Sequence, residues 1–175
     1  MPPNQILFIR HGEEHAETGI TETGRPDEHS LTVRGWQRAG ALVGLFGRDE
    51  RSGLRPDAIY ASSVAPGSES WRPGQTVAPL VAYLQAHGGL FYNDAYGKND
   101  IEALMADVLT RSGTVLIAWE HSRIADCIAA LPGAPETPGK WPSERYDLVW
   151  QFRRNGEGWI FREVPQLLLS GDADP

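Results

Sequence analysis

The residues best equipped for chemistry stand in three short pieces of the chain. Arg10-His11-Gly12-Glu13 follows directly on the apolar run Gln5 to Ile9, and Glu120-His121-Ser122 follows directly on Thr114 to Trp119. The third piece, Ser70-Trp71-Arg72-Pro73-Gly74-Gln75-Thr76, opens a helical pattern. Open parallel sheets hold ligands beyond the carboxyl ends of their strands, so two histidines that each follow a strand can meet in one crevice. The glycine after His11 permits a tight turn and close backbone approach. Arg72 stands at or just before a helix start, with Pro73 suited to the first turn. That helix end offers free N–H groups and partial positive charge to an anion. Arg10 and Arg72 together are fitted to grip a phosphoryl group through bidentate bonds.

The elements that must position these pieces are legible from periodicity. Residues 5–9 read as a short buried strand and 13–30 as a polar loop. A helix opens at Leu31-Thr32, with Thr32 as its cap, Ala39, Leu42, Val43 and Phe46 at helical spacing, and Gly47 as its stop. Residues 57–61 read as a second strand, 62–70 as a loop, 72–86 as a helix ended by Gly88-Gly89, and 93–99 as a loop. Asn99 or Asp100 caps a helix running to about Arg111. Thr114 to Trp119 is β-branched and apolar, which suits the middle of a sheet. A helix from about Ser122 to Leu131 follows, then a Pro/Gly-rich excursion over 132–142. Residues 146–152 and 159–164 flank Asn155-Gly156-Glu157-Gly158, a hairpin signal. Strands alternating with helices predict a three-layer α/β/α sandwich, its sheet mostly parallel with an antiparallel edge.

Bulk properties narrow the function. A chain of 175 residues suits one domain, residues 1–175, with a full hydrophobic core. The net charge of −7 argues against nucleic acid, which wants a basic face, but not against a small phosphate ester held by focused arginines. The single cysteine, Cys127, allows no intramolecular disulfide and reads as a buried small hydrophobe. No cluster of Cys and His suggests a metal site. The N-terminus lacks the pattern of a secretion signal, and no apolar run approaches the ~20 residues that span a bilayer. A cytoplasmic location is expected, and residues 171–175 are expected to fray.

Taken in order and spacing, the pieces resemble one family. Arg10-His11-Gly12-Glu13 is similar to the signature of the histidine phosphatase superfamily, the phosphoglycerate-mutase-like proteins. Leu31-Thr32-Val33-Arg34-Gly35-Trp36-Gln37-Arg38-Ala39 resembles the helix start that follows in that family. Arg72-Pro73-Gly74-Gln75-Thr76 resembles its second arginine motif, and Leu116 to His121 its second histidine strand. The likeness covers about residues 5–131. Trp119-Glu120-His121, Trp141, Tyr146-Asp147, Val149-Trp150 and Gln166 to Leu169 resemble a short bacterial and fungal subgroup.

The resemblance implies a phosphoglycerate-mutase-like fold and a phosphatase for a small phosphomonoester or phosphohistidine, without a cofactor. It implies that one ring nitrogen of His11 donates to a backbone carbonyl while the other attacks phosphorus, and that water cleaves the resulting phosphohistidine. A neutral imidazole is a good nucleophile, and its ordinary pKa near ~6.5 leaves it largely neutral at pH 7. Arg10, Arg72 and His121 would cradle the equatorial oxygens. Gly12, Glu13 and Ser122 adjoin the two histidines and are the expected substrate neighbours. The general acid is open among Asp94, Asp100, Glu102, Glu120 and Glu13, with Asp94 placed first. Strand alternation should point Glu120 away from His121. A phosphoglycerate-type mutase and a non-catalytic phosphate-binding or protein-binding module on the same fold are the competing functions.

Other polar residues have plainer readings. His15, His29 and His87 read as solvated surface, although His29 belongs to a loop that should lie near the cleft. Arg34 and Arg38, four apart on a helix, read as a solvated face. Arg55, Lys98 and Arg123 also read as surface, and Trp36, Trp71 and Trp119 as core.

Overall fold

The computed structural model describes residues 2–14, 17–48 and 53–173. His15 therefore lies outside the described residues. Six strands form one sheet. They are Gln5–Arg10 (β1), Ala58–Ala61 (β2), Phe91–Asn93 (β3), Thr114–Trp119 (β4), Leu148–Asn155 (β5) and Gly158–Pro165 (β6). Their order is β3-β2-β4-β1-β5-β6. β1 to β4 are parallel, and β5 and β6 add an antiparallel edge. The helices are Val33–Leu42 (α1), Arg72–Ala86 (α2), Ile101–Val108 (α3) and His121–Ala129 (α4). A π-helical segment, Val43–Arg48, extends α1.

Alternation along the central strands divides the core in two. Ile6, Phe8, Val115, Ile117 and Trp119 pack with α3, α4 and the aromatic rings of Trp141, Trp150 and Phe152. Leu7, Ile9, Leu116 and Ala118 pack on the opposite face with Leu42, Phe46 and Val77, Leu80 and Leu84 of α2. Because β1 and β4 are covered on both faces, they read as unbroken apolar runs. The result is the expected three-layer α/β/α sandwich with a mixed sheet.

Register aligns the chemistry. β1 and β4 pair from Gln5 with Thr114 to Arg10 with Trp119. The chain thus leaves both strands at the same level, and the His11 N–H donates to the Trp119 carbonyl at 3.2 Å. His11 and the start of α4 become neighbours although more than a hundred residues separate them.

The motif residues around this level are scaffolding. The Thr32 hydroxyl caps α1 by accepting from the Gly35 N–H and donates to the Glu13 carbonyl. A Cβ on Gly35 would come within 2.8 Å of that carbonyl, so glycine lets α1 sit directly on the loop that carries His11. The Gln75 side chain accepts from the Leu31 N–H at 2.9 Å. The Thr76 hydroxyl accepts from the Gly12 N–H and donates to the Arg72 carbonyl, both at 2.7 Å. One threonine thereby fixes the His11 loop to the first turn of α2.

Several expectations change. Arg38 is not on a solvated face. It is 2% exposed, and all its N–H groups bind Glu13, Gln166 and Asp172. Asp172 in turn accepts from the Leu168 and Leu169 N–H groups, so residues 171–173 are clamped rather than frayed; 174 and 175 lie outside the described residues. The strand β3 is too short for a periodic signal. α3 stops at Val108, with Thr110 and Arg111 in a turn capped by Asp107. Trp71 is exposed, whereas Trp119 is fully buried. Cys127 is buried, and burial pushes its thiol up to about 12. No helix of the described residues is long and apolar enough to cross a membrane.

Candidate active site

A cavity of about 250 Å³ opens beyond the carboxyl ends of β1 and β4. His11, Arg72 and His121 all line it, together with Glu14, Glu120 and Lys98. His11 is buried, and its Nδ1 lies 2.8 Å from the Gly12 carbonyl. A carbonyl can only accept, so Nδ1 carries the proton and Nε2 keeps its lone pair. Burial pushes the imidazole down to about 4; the Glu14 carboxylate and the Gly12 hydrogen bond oppose this, and the Arg10 and Arg72 cations assist it. The ring is therefore neutral at pH 7.

Nε2 faces a carboxylate. Glu14 Oε1 lies 3.8 Å from His11 Nε2 and accepts from Arg10 at 2.7 Å, while Oε2 accepts from Arg72 at 2.7 Å. Burial acts upward on the Glu14 carboxyl, but the Arg72 and Arg10 guanidiniums hold it below its ordinary value. Both arginines are anchored from behind. Arg10 donates to the Ser143 carbonyl and stacks 3.9 Å from the centre of the Tyr146 ring. Arg72 donates to the Ser30 and Glu28 carbonyls. Fixed donors of this kind need no reorganisation when an anion arrives.

The remaining wall is polar. Glu120 immediately precedes α4, where its carboxylate pairs with Lys98 at 3.1 Å and accepts from the Ser122 hydroxyl at 2.7 Å. Burial acts upward on Glu120, and Ser122 and Lys98 outweigh it. Strand alternation no longer governs this residue, because the chain has already left β4. His29 also lines the cavity, from the loop ahead of α1, as does Lys98.

The other expected neighbours are placed differently. Glu13 turns away from the cavity and binds Arg38 at 2.8 Å. Gly12 spends its N–H on Thr76 and its carbonyl on His11. Ser122 reaches the site only through Glu120. Asp94 is exposed and lines a separate hollow with Ser63, Trp71 and Gly74; burial, assisted by the Asp94 carboxylate, pushes the Tyr92 hydroxyl up to about 12. Asp100 accepts from the Gly97 N–H, and with Glu102 it lines a third hollow. The structure thus gathers His11, Arg10, Arg72 and His121 and leaves Asp94 outside the cavity. Glu14 is the residue that sequence reasoning passed over. Adjacent residues leaving a strand project to different sides, but nothing local says which of two glutamates faces the crevice. Among the described residues no group of three or more His, Cys, Asp and Glu is placed to hold a metal ion.

No family model and no curated protein matches the chain in sequence. Solved structures do match it in fold. A protein described provisionally as the phosphohistidine phosphatase SixA from Agrobacterium tumefaciens is 16% identical with a TM-score of 0.54, over 93% of this chain and 98% of that one. The alpha-ribazole phosphatase from Shigella flexneri is 15% identical with a TM-score of 0.56, over 97% and 100%. A phosphoglycerate mutase from Plasmodium falciparum is 12% identical with a TM-score of 0.50, over 98% and 96%. This chain shares the phosphoglycerate-mutase-like fold of these proteins.

Proposed function

We propose that this chain is a phosphatase that hydrolyses a small phosphomonoester or a phosphohistidine through a covalent phosphohistidine on His11. The observation that carries the reading is the position of the Glu14 carboxylate. Two anionic oxygens already rest between Arg10 and Arg72, beside the unprotonated Nε2 of His11. A phosphoryl group is larger, tetrahedral and more highly charged, and it can offer an oxygen to each of the same two guanidiniums. Seated there, it presents phosphorus to Nε2, with Arg10, Arg72 and His121 around its equatorial oxygens. The cavity has room for a small ester and is open to water for the second step. The two phosphatases of like fold support this reading.

The His11 Nε2 lone pair forms the bond to phosphorus as the leaving oxygen departs with its electron pair. Water then adds to phosphorus, and the Nε2–P pair returns to the ring. The Gly12 carbonyl keeps Nδ1 protonated throughout and stabilises the positive charge that the ring acquires. The test is to trap the intermediate. Incubation with a ³²P-labelled chromogenic phosphate ester should leave an acid-labile, base-stable label on the protein, and His11→Ala should abolish both label and turnover. Turnover that survives His11→Ala removes the reading. Phosphate binding without any turnover assigns the fold to a binding module instead.

A further inference from the structure

We propose that Glu14 is the proton donor to the leaving group, and that substrate binding itself converts it from a carboxylate into an acid. This rests on the phosphatase reading above. Glu14 holds its charge because Arg10 and Arg72 each donate to one of its oxygens. An incoming phosphoryl dianion needs the same two guanidiniums. It strips the carboxylate of its cations and sets a like charge beside it, and both changes favour protonation. Glu120, the other carboxylate paired in the cavity, differs on this point. Its partners are Lys98 and Ser122, which lie outside the arginine cradle, so it keeps its counter-ion.

Among the described residues, the charged groups around Glu14 fit this assignment. Arg10 comes from β1 and Arg72 from α2, and both turn to the phosphoryl oxygens. The Tyr146 ring stacks on Arg10 and presents no cation of its own. His11 is occupied with phosphorus. Lys98, Glu120, His121, His29 and Glu69 lie elsewhere on the cavity wall. Displaced from the cradle, the Glu14 carboxyl still borders the cavity, and the assignment places it beside the leaving oxygen.

The step balances. As Nε2–P forms and P–O breaks, the leaving oxygen takes the Glu14 proton and departs as an alcohol. The Glu14 carboxylate then accepts a proton from the water that attacks the phosphohistidine. Hydrogen phosphate leaves, and the proton first taken from solvent is returned. The carboxylate falls back between the arginines.

Two measurements test this. The first is calorimetric titration of the unmodified protein with sulfate, a dianion that does not titrate near neutrality, at pH 7 in two buffers of different ionisation enthalpy. Uptake of about one proton per sulfate is expected, and none in Glu14→Gln. No uptake by the unmodified protein means that Glu14 leaves as an anion, and uptake that persists in Glu14→Gln assigns the proton to a histidine; either overturns the role. Sulfate binding by Glu14→Gln alone makes Glu14 a plug and also overturns it. The second measurement compares leaving groups. Glu14→Gln should lose on the order of 10²-fold or more of kcat on an alkyl phosphate, and less than about tenfold on p-nitrophenyl phosphate, whose phenolate needs little help. Equal losses on both esters reject the proton donor while the labelled phosphohistidine still supports the phosphatase. Absence of sulfate binding by both forms, with no labelled histidine, removes the phosphatase reading and this role with it.

Discussion

Glu13 and Glu14 are adjacent, and each sits between guanidiniums, yet they do opposite things. Glu13 belongs to a closed cluster. Its oxygens, those of Asp172 and the Gln166 amide take every N–H of buried Arg38, with Arg34 at the rim. Glu14 belongs to an open cluster. Its arginines are held from behind by backbone carbonyls, but their forward N–H groups end on a carboxylate that borders a cavity. The first arrangement has no room for another anion and locks three distant parts of the chain. The second can exchange its anion for one from solution. The chemistry of the pairs is the same, and access to water separates structure from site.

Substitution should pull the two clusters apart. Arg38→Leu leaves the buried Glu13 and Asp172 carboxylates with only the half-exposed Arg34 as a cation, and should cost about 3–5 kcal/mol of stability in urea denaturation. A loss below about 1 kcal/mol would mean that the cluster is not a lock. Arg72→Ala should act the other way. Stability should change little, while kcat/KM for a phosphate ester falls by roughly 10²-fold or more; a change under about twofold would remove Arg72 from the site.

The pH dependence sharpens the contrast. Burial holds the folded His11 pKa at about 4, against 6.5 in the unfolded chain. The His11 imidazole therefore stays neutral through the ordinary histidine range, and on the proposed reading acidification should cost phosphoenzyme formation its nucleophile only as the pH approaches about 4. The same shift carries a stability effect. Below pH 6.5 the unfolded chain binds a proton at His11 that the folded chain refuses, so stability is lost as pH falls towards 4. His11→Asn should remove that part of the acid-side slope in denaturation curves measured at several pH values. The smallest effect should come from Glu14→Gln, which leaves urea stability within about 1 kcal/mol because the Gln amide oxygen can still accept from one guanidinium, Arg72 lines the cavity, and Arg10 keeps the Ser143 carbonyl and the Tyr146 ring. A larger loss would make Glu14 a structural residue like Glu13.

Much of the site was legible because its parts are local. A histidine placed right after an apolar strand, an arginine with Pro73 in the first turn of α2, and Thr32 capping α1 are each read within a few residues. Arg38 was misread because its partner Asp172 lies 134 residues away, and helical spacing alone makes an arginine look solvated. Asp94 was favoured as the acid for its sequence neighbourhood, but β3 ends at Asn93 and the chain then turns Asp94 towards Tyr92, away from His11.

Periodicity and motif order alone determined the layered α/β architecture and placed two histidines and two arginines at strand ends and a helix start, because strands, helix starts and the residues that follow them are set by short-range geometry. Which carboxylate meets them was decided only by the folded chain. The direction of one side chain at the end of β1 depends on α1 packing against the loop, on Arg38 claiming Glu13, and on the C-terminal residues closing over Arg38. Those contacts span the whole molecule, and no local pattern encodes them.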